Sequence, residues 1–251
     1  MNAPELVYED EFVKLWCGDS RQWMTERDNG QAAAVITDPP YGDTSLEWDH
    51  RCDGWQQLAA WQAPQLWCFG SLRFHLAERE EFEDAGWKLG QEVIWEKHNG
   101  SGFHADRFKR VHEIAVHWYR GEWASLHREV PVTMDATART LRRKTRPRHT
   151  GHIEAGAYAS EDGGPKLMRS VQYVRSEHGR AVHPTQKPLG ILRPLIAYSV
   201  PPGGLVLDPF AGSGSTLLAA RESGRKAEGC EINPDYCEAA IGRLSQLEMA
   251  A

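Results

Sequence analysis

Three short stretches of this chain carry residue types that could do chemistry. The first is Asp38-Pro39-Pro40-Tyr41. An amino group on an aromatic base is a weak nucleophile, because its lone pair is delocalised into the ring. A carboxylate and a backbone carbonyl that accept its two N–H hydrogens concentrate electron density on the nitrogen. The prolines stiffen such a turn, and a neighbouring aromatic ring can stack on a base taken out of its helix. The second is Asp208-Pro209-Phe210-Ala211-Gly212-Ser213-Gly214-Ser215-Thr216. Glycines there let the backbone approach a ligand, and a following helix offers free N–H groups. It has no Walker lysine, so it is a poor phosphate cradle. Glu231 follows Gly212 by 19 residues, where an acid can accept both ribose hydroxyls of a nucleoside. Together these indicate an adenosine-containing cofactor without pyrophosphate. The third is His183-Pro184-Thr185-Gln186-Lys187-Pro188, in which Thr185 and Lys187 could hold a carboxylate. Taken singly, each stretch also reads as plain structure: a strand-ending turn, a tight βα turn, a helix entry.

The surrounding elements must position these groups. Strands are expected at 12–19, 32–37, 66–70, 91–96, 113–119, 204–208 and 226–231. The run Ala32–Thr37 is continuously apolar, as in a strand buried on both faces, and it stops at two prolines. Helices are expected from Ser20, whose hydroxyl could cap the first, from about residue 71 through Asp84, over 189–200, over 215–223 and from Asn233 onward. Strands separated by helices imply a mostly parallel twisted sheet with helices on both faces. Ligands bind beyond the carboxyl ends of such strands, and Asp38, Asp208 and Glu231 all fall there.

Composition bounds the rest. The chain has 251 residues, 41% of them hydrophobic, which excludes disorder as the main state. It has no apolar run of 18 residues and no basic-then-apolar leader, so neither a membrane span nor a secretory signal is expected. Five cysteines, none at C-x-x-C spacing, read as reduced thiols in a cytoplasmic protein, with no metal. The net charge of −6 argues at first against a polyanionic partner. The charge is not evenly spread, however. Residues 97–182 hold 16 Lys+Arg against 9 Asp+Glu, or +7, and the remainder holds 13 against 26, or −13. Within that middle stretch Arg107, Lys109 and Arg110 form one cluster, and Arg139, Arg142, Arg143, Lys144, Arg146 and Arg148 a denser one. Such clusters fit phosphate contacts, although a solvated loop would look the same.

The order Asp-Pro-Pro-Tyr, basic variable region, His183–Pro188, then the glycine loop resembles the β-class DNA amino-methyltransferases. The resemblance spans about residues 7–245, and in 97–182 it rests on position and charge alone. It implies a Rossmann-like class I methyltransferase fold in circularly permuted motif order. Residues 1–96 would form the catalytic half, 97–182 an inserted target-recognition region, and 183–251 the half that binds S-adenosylmethionine. It implies that Asp38 and the Pro39 carbonyl bind the target amine, with Pro40 shaping the turn and Tyr41 stacking on the flipped base. Phe210, Gly212 and Gly214 would line the cofactor pocket with Ala211, Ser213, Ser215 and Thr216. Asp208 would sit near the cofactor's amino-acid part and Glu231 on its ribose, flanked by Ile232 and Asn233. His183, Thr185, Gln186 and Lys187 would hold the methionine end, and Asp19 resembles the acid that contacts the adenine.

The implied reaction is direct methyl transfer to N6 of adenine in double-stranded DNA, because Asp at the first motif position usually accompanies adenine and Ser accompanies N4 of cytosine. An RNA or protein-glutamine amino-methyltransferase can use a similar loop, but there the glycine loop comes first. A silent nucleic-acid-binding regulator on the same fold is a third reading, opposed by the intact Asp38–Tyr41 motif. The length leaves no expected room for a nuclease, so an orphan or prophage methyltransferase and the separate methylase of a restriction system fit equally. The family often forms homodimers, for which Trp55, Trp61, Trp118 and Trp123 are possible anchors, although each alone reads better as core.

Overall fold

In the computed structural model, residues 3–28, 30–42, 49–101, 105–142, 156–177 and 186–248 are described. They divide into two compact units, residues 1–129 with 170–251, and residues 130–169. The large unit opens with β1 (Glu5–Glu9), β2 (Val13–Cys17), α1 (Ser20–Glu26) and β3 (Ala34–Thr37). It continues with α2 (Trp55–Gln62), β4 (Gln65–Gly70), α3 (Leu72–Ala77), α4 (Arg79–Asp84), β5 (Lys88–Ser101) and β6 (Arg110–Tyr119). The small unit holds two short antiparallel pairs: β7 (Val132–Thr133) with β10 (Lys166–Leu167), and β8 (Arg139–Arg142) with β9 (Ala157–Ser160). The chain returns through β11 (Val171–Tyr173), α5 (Leu189–Ser199), β12 (Leu205–Asp208), α6 (Ser215–Glu222), β13 (Lys226–Glu231) and α7 (Pro234–Glu248).

Nine of these strands form one mixed sheet in the order β1-β2-β13-β12-β3-β4-β6-β5-β11. Its centre, β2 through β4, is wholly parallel, and β1, β6 and β5 add antiparallel pairings. The expected Rossmann-like sheet is therefore present. Side chains alternate across it, as a two-residue period requires. Ala34, Ile36, Trp67 and Phe69 pack beneath α5, α6 and α7, through Leu192, Leu217 and Ala240. Val35, Leu66, Cys68 and Leu207 pack on the other face against Trp23, Trp55, Phe74 and Phe82 from α1 to α4. Both faces of β3 and β4 are covered, which is why their sequences are continuously apolar.

Connections leave β12 toward β13 on one side and β3 toward β4 on the other, so the strand order reverses between β12 and β3. At that reversal no helix covers the strand ends and a crevice is left. Asp38 directly follows β3 and Asp208 ends β12. The Thr37 hydroxyl donates to Asp208 Oδ1 at 2.7 Å and ties the two strand ends together.

One detail corrects the sequence reading. Asp19, not Ser20, is the N-cap of α1, its carboxylate accepting from the Arg21 N–H at 2.8 Å. Trp55 and Trp118 are core, 1% and 5% exposed, and cannot anchor an interface, whereas Trp61 is 45% exposed. Among the described residues no helix is long and apolar enough to cross a membrane.

Candidate functional site

Beyond the carboxyl ends of β2, β13, β12, β3 and β4 lies a cavity of about 1150 Å³. It reaches from Gly18–Arg21 and Glu231–Ile232, past Phe210–Ser213, to Asp38–Tyr41 and across to Arg107–Glu113. Two regions of different chemistry share it.

The first is the glycine loop between β12 and α6. Gly212 and Gly214 have φ of +52° and +72°, in the left-handed region that L side chains rarely adopt. Gly214 is the N-cap of α6, and a Cβ there would come within 3.1 Å of the Ala240 Cβ. The bend brings the Gly212 N–H to Glu231 Oε2 at 2.8 Å, and the Asn233 N–H meets Oε1 at 2.9 Å. Glu231 is thus fixed by backbone donors, with acceptor capacity on both oxygens left for a ligand's hydroxyls. Burial raises its pKa against those hydrogen bonds. Ile232 beside it is 56% exposed and offers an apolar surface at the cavity wall. Ser213 donates to Gln186 Oε1 at 3.5 Å, and Arg243 on α7 holds the Ser213 and Ser215 hydroxyls, each at 3.0 Å. Asp208 accepts from Thr37 and from the Phe210 N–H at 3.2 Å. Burial pushes its pKa up to about 6, against the hydrogen bonds from Thr37 and Thr216.

The second region surrounds Asp38. Its Oδ1 accepts from the Tyr41 hydroxyl and its Oδ2 from the Lys187 ammonium. Lys187 is 6% exposed and lies over the Phe69 ring, 5.3 Å from its centroid. The same ammonium is 3.3 Å from Glu113 Oε2 on β6, and Glu113 Oε1 accepts from Lys97 on β5. Lys97 in turn caps the Trp95 ring at 4.5 Å. The result is a partly buried row of alternating charge: Asp38, Lys187, Glu113, Lys97. Burial raises the Asp38 pKa, and Glu113 adds to that against the pull of Lys187. Burial works to raise Glu113 as well, but the Lys187 and Lys97 ammonium groups overcome it and hold its pKa low. Burial opposes the charge on Lys187, yet Asp38 and Glu113 together keep its pKa above the ordinary value. The Tyr41 ring leans on Phe74 at 5.1 Å.

The cavity thus gathers Asp19, Asp38–Tyr41, Gln186, Lys187, Asp208, Phe210–Ser213, Ser215, Thr216, Glu231 and Ile232. Gly214 and Asn233 support its wall without lining it. Asp19 faces it while binding Arg21 through backbone and guanidinium. Arg107 and Arg110 stand on its rim, and Lys109 between them is exposed. Arg139 and Arg142 are exposed on β8 of the small unit. His183, Thr185, Arg143, Lys144, Arg146 and Arg148 lie outside the described residues.

Several partners escaped the sequence reading. Glu113 opened an expected strand and Lys97 followed the end of another, each as a single charge, and Arg243 sat on the last helix. The rim also takes Arg21, Arg51 and Arg73 from outside the basic stretch. Among the described residues no cluster of three or more His, Cys, Asp or Glu could hold a metal ion.

Comparison with known proteins follows the same lines. A family model described as DNA methylase, for N6 and N4 methyltransferases, matches residues 32–242. The type II methyltransferase M.XycI of Xanthomonas campestris pv. cyanopsidis is 29% identical over 163 residues, 64% of this chain and 46% of that protein. M.ScaI of Streptomyces caespitosus is 46% identical over 80 residues, 32% of this chain and 26% of that protein. The matches therefore span less than half the length of these relatives. Among solved structures, M1.HpyAVI in complex with SAM aligns over 92% of this chain and 99% of its own, with TM-score 0.64 and 22% identity. The cytosine-N4-specific PvuII DNA methyltransferase aligns over 95% and 88%, with TM-score 0.65 and 14% identity. At such identities these two show the fold alone. The family match covers most of the chain, which belongs to the N6/N4 DNA methylase family.

Proposed function

We propose that this member of the N6/N4 DNA methylase family transfers a methyl group from S-adenosylmethionine to N6 of adenine in double-stranded DNA. One observation carries the reading: a buried carboxylate, Asp38, and a backbone-held carboxylate, Glu231, face one cavity large enough for a nucleoside cofactor and a flipped base. The donor set suits S-adenosylmethionine. Glu231 has acceptors for two ribose hydroxyls, Ile232 offers an apolar face to the adenine, and the loop backbone leaves room for close approach. The complex of M1.HpyAVI with SAM, on the same fold, supports the choice. When bound, that group supplies an electrophilic methyl carbon on a positively charged sulfur.

This chain's residues would do the rest. Asp38 and the Pro39 carbonyl accept the amine's two N–H hydrogens, Pro40 keeps the turn rigid, and the Tyr41 ring faces the extruded base. The amine nitrogen would take up the methyl carbon that the cofactor gives up. The nitrogen becomes cationic, Asp38 stabilises that charge, and its carboxylate takes one proton or passes it to water. No cysteine nucleophile is needed. Burial pushes the Cys68 thiol well up, which suits no thiolate.

Arg107, Arg110, Arg21, Arg51 and Arg73 ring the cavity mouth and suit phosphates. Phe108, fully exposed between two cationic neighbours on that rim, suits contact with unstacked bases. The basic stretch 97–182, with Arg139 and Arg142, belongs to the same proposal as the target-recognition region. Self-association would enlarge the DNA-facing surface, and light scattering with and without DNA measures it.

Expression in a methylation-free host followed by single-molecule sequencing of its DNA reads base and target sequence together. N6-methyladenine at a fixed motif is expected. N4-methylcytosine alone would overturn the choice of base, and methylated tRNA with unmodified DNA would overturn the substrate. Asp38→Ala should abolish transfer while sparing cofactor binding by calorimetry, and full activity in that variant would sink its assigned role.

A further inference from the structure

The row of alternating charge behind Asp38 has no place in the reaction as written. Both acceptor oxygens of Asp38 are engaged in this structure, Oδ1 by Tyr41 and Oδ2 by Lys187. Each oxygen keeps a second lone pair for a target amine, but the full charge of the ammonium draws off the electron density that the amine must share. Lys187 has a second anion within reach, since its ammonium is 3.3 Å from Glu113 Oε2. That oxygen is buried and makes no well-formed hydrogen bond, so it has capacity to receive the ammonium fully. The other oxygen, Oε1, is held by Lys97. Glu113 sits on β6, directly opposite Trp95 of β5, so its backbone is anchored by the sheet.

We propose that Glu113 is a positioning residue for the reacting carboxylate: held by Lys97, it shares the Lys187 ammonium and so eases that ammonium's hold on the Asp38 oxygen that meets the target amine. This inference rests on the proposed amino-methyl transfer and names the device that tunes its acceptor. An ammonium has three donors and no fixed plane, so it can pivot between two carboxylates with little loss. A single carboxylate partner would instead lock Lys187 onto Asp38, and a buried amine would have to compete with a full positive charge. The balance is set by every charged or titratable group around Asp38: Tyr41, Lys187, Glu113, Cys68 and Asp208 near it, and Lys97 behind Glu113.

Two variants of the full-length protein separate this from a structural role. Glu113→Gln removes a negative charge, so Lys187 should settle on Asp38. The expected result is a kcat lowered about a hundredfold, as for misplaced reacting groups. The acid limb of the kcat profile should move to lower pH. Lys97→Met removes a positive charge from the far side of Glu113 and should move the same limb to higher pH. Loss of either charge moves the limb by Coulomb's law alone, so the deciding readout is the plateau kcat, which a field effect without repositioning leaves near wild type. A third readout needs no turnover. The ratio of binding affinities for duplexes carrying adenine and unsubstituted purine at the target position, the latter lacking the 6-amino group, should fall toward one in Glu113→Gln, because the amine's acceptor is weakened. Glu113→Asp should recover part of the loss. A wild-type plateau kcat in folded Glu113→Gln would overturn the proposal, as would shifts of the same sign in both variants. If Glu113→Gln fails to fold, the plateau kcat of Lys97→Met decides in the same way. If wild-type protein itself modifies no DNA, the amino-methyl transfer fails, and that failure is distinct from inactive or unchanged variants of an active enzyme.

Discussion

Lys187→Met tests the geometry of the site through stability, before any substrate is known. The wild-type ammonium lies between the carboxylates of Asp38 and Glu113 and is 6% exposed. Methionine fills similar volume but leaves two buried carboxylates with one remaining counterion, Lys97. Breaking a buried ion pair by removing one partner costs about 3–5 kcal/mol. Lys97 still compensates Glu113, so the lower end, about 3 kcal/mol, is expected. For a chain of this size that lowers Tm by about 6–12 °C. The sign with pH is specific. Without Lys187 the Asp38 pKa rises further above its unfolded value. A carboxylate raised in this way favours the fold below its unfolded pKa and loses that contribution as pH climbs through the folded one. The deficit relative to wild type should therefore be largest near pH 8 and shrink toward pH 5.5, as Asp38 takes a proton. Urea titrations of both proteins at several pH values measure it. Equal stability at pH 8, or a deficit that does not change on acidification, would refute the placement of the ammonium between the two acids.

Glu231→Gln should weaken S-adenosylmethionine binding at least about tenfold, because the amide must present a donor toward the Gly212 or Asn233 N–H. Calorimetry reads this without DNA. Replacing Arg107 and Arg110 together by Ala should weaken DNA binding at all sequences and reduce the log–log salt slope by about 2. The same measurement on Arg142, Arg143 and Lys144 shows whether the denser cluster touches phosphates. An unchanged slope makes it a bystander. His117 is fully buried against Trp67, and burial lowers its pKa to about 4, with Arg128 adding to the effect. Its neutral ring supports the fold above pH 6.5, and that support is lost between pH 6.5 and 4, by up to about 3 kcal/mol. His117→Gln should flatten the acid limb of a stability profile, and an unchanged limb would mean the ring is not held neutral.

What the sequence revealed follows from which forces act locally. Strands buried on both faces must be apolar runs, so β3, β4 and β12 could be read directly, and the acids at their tips marked the ligand edge of the sheet. The glycine loop could be read because a left-handed turn before a helix selects glycine at Gly212 and Gly214. Partners joined only by tertiary structure were hidden. Lys187 meets Asp38 across 149 residues of sequence, and Arg243 meets Ser213 across 30. Glu113 looked like an ordinary polar position because nothing local shows that β6 pairs with β4 and carries its acid toward the β3 tip. Charge segregation along the chain was likewise an incomplete guide. Arg21, Arg51 and Arg73 come from the acidic part of the sequence and still stand on the cavity rim. A protein of net negative charge can still place several arginines on the rim of one cavity, even with some of them paired to acids.

Lys187 shows how the two kinds of information combine. Its motif assigned it to the methionine end of a cofactor, while the structure places its ammonium at Asp38 and Glu113. These roles do not compete. An ammonium carries three N–H donors, and two point at the acids. The third can serve the cofactor's carboxylate. One charge would then sense both ligands, since a third anion would draw the ammonium away from Asp38 as the cofactor arrives. Cofactor binding and release of the amine acceptor would be coupled through a single side chain. On this argument Lys187→Met should weaken S-adenosylmethionine binding as well as stability. If calorimetry found cofactor affinity intact in that variant, the lysine would belong to the carboxylate row alone.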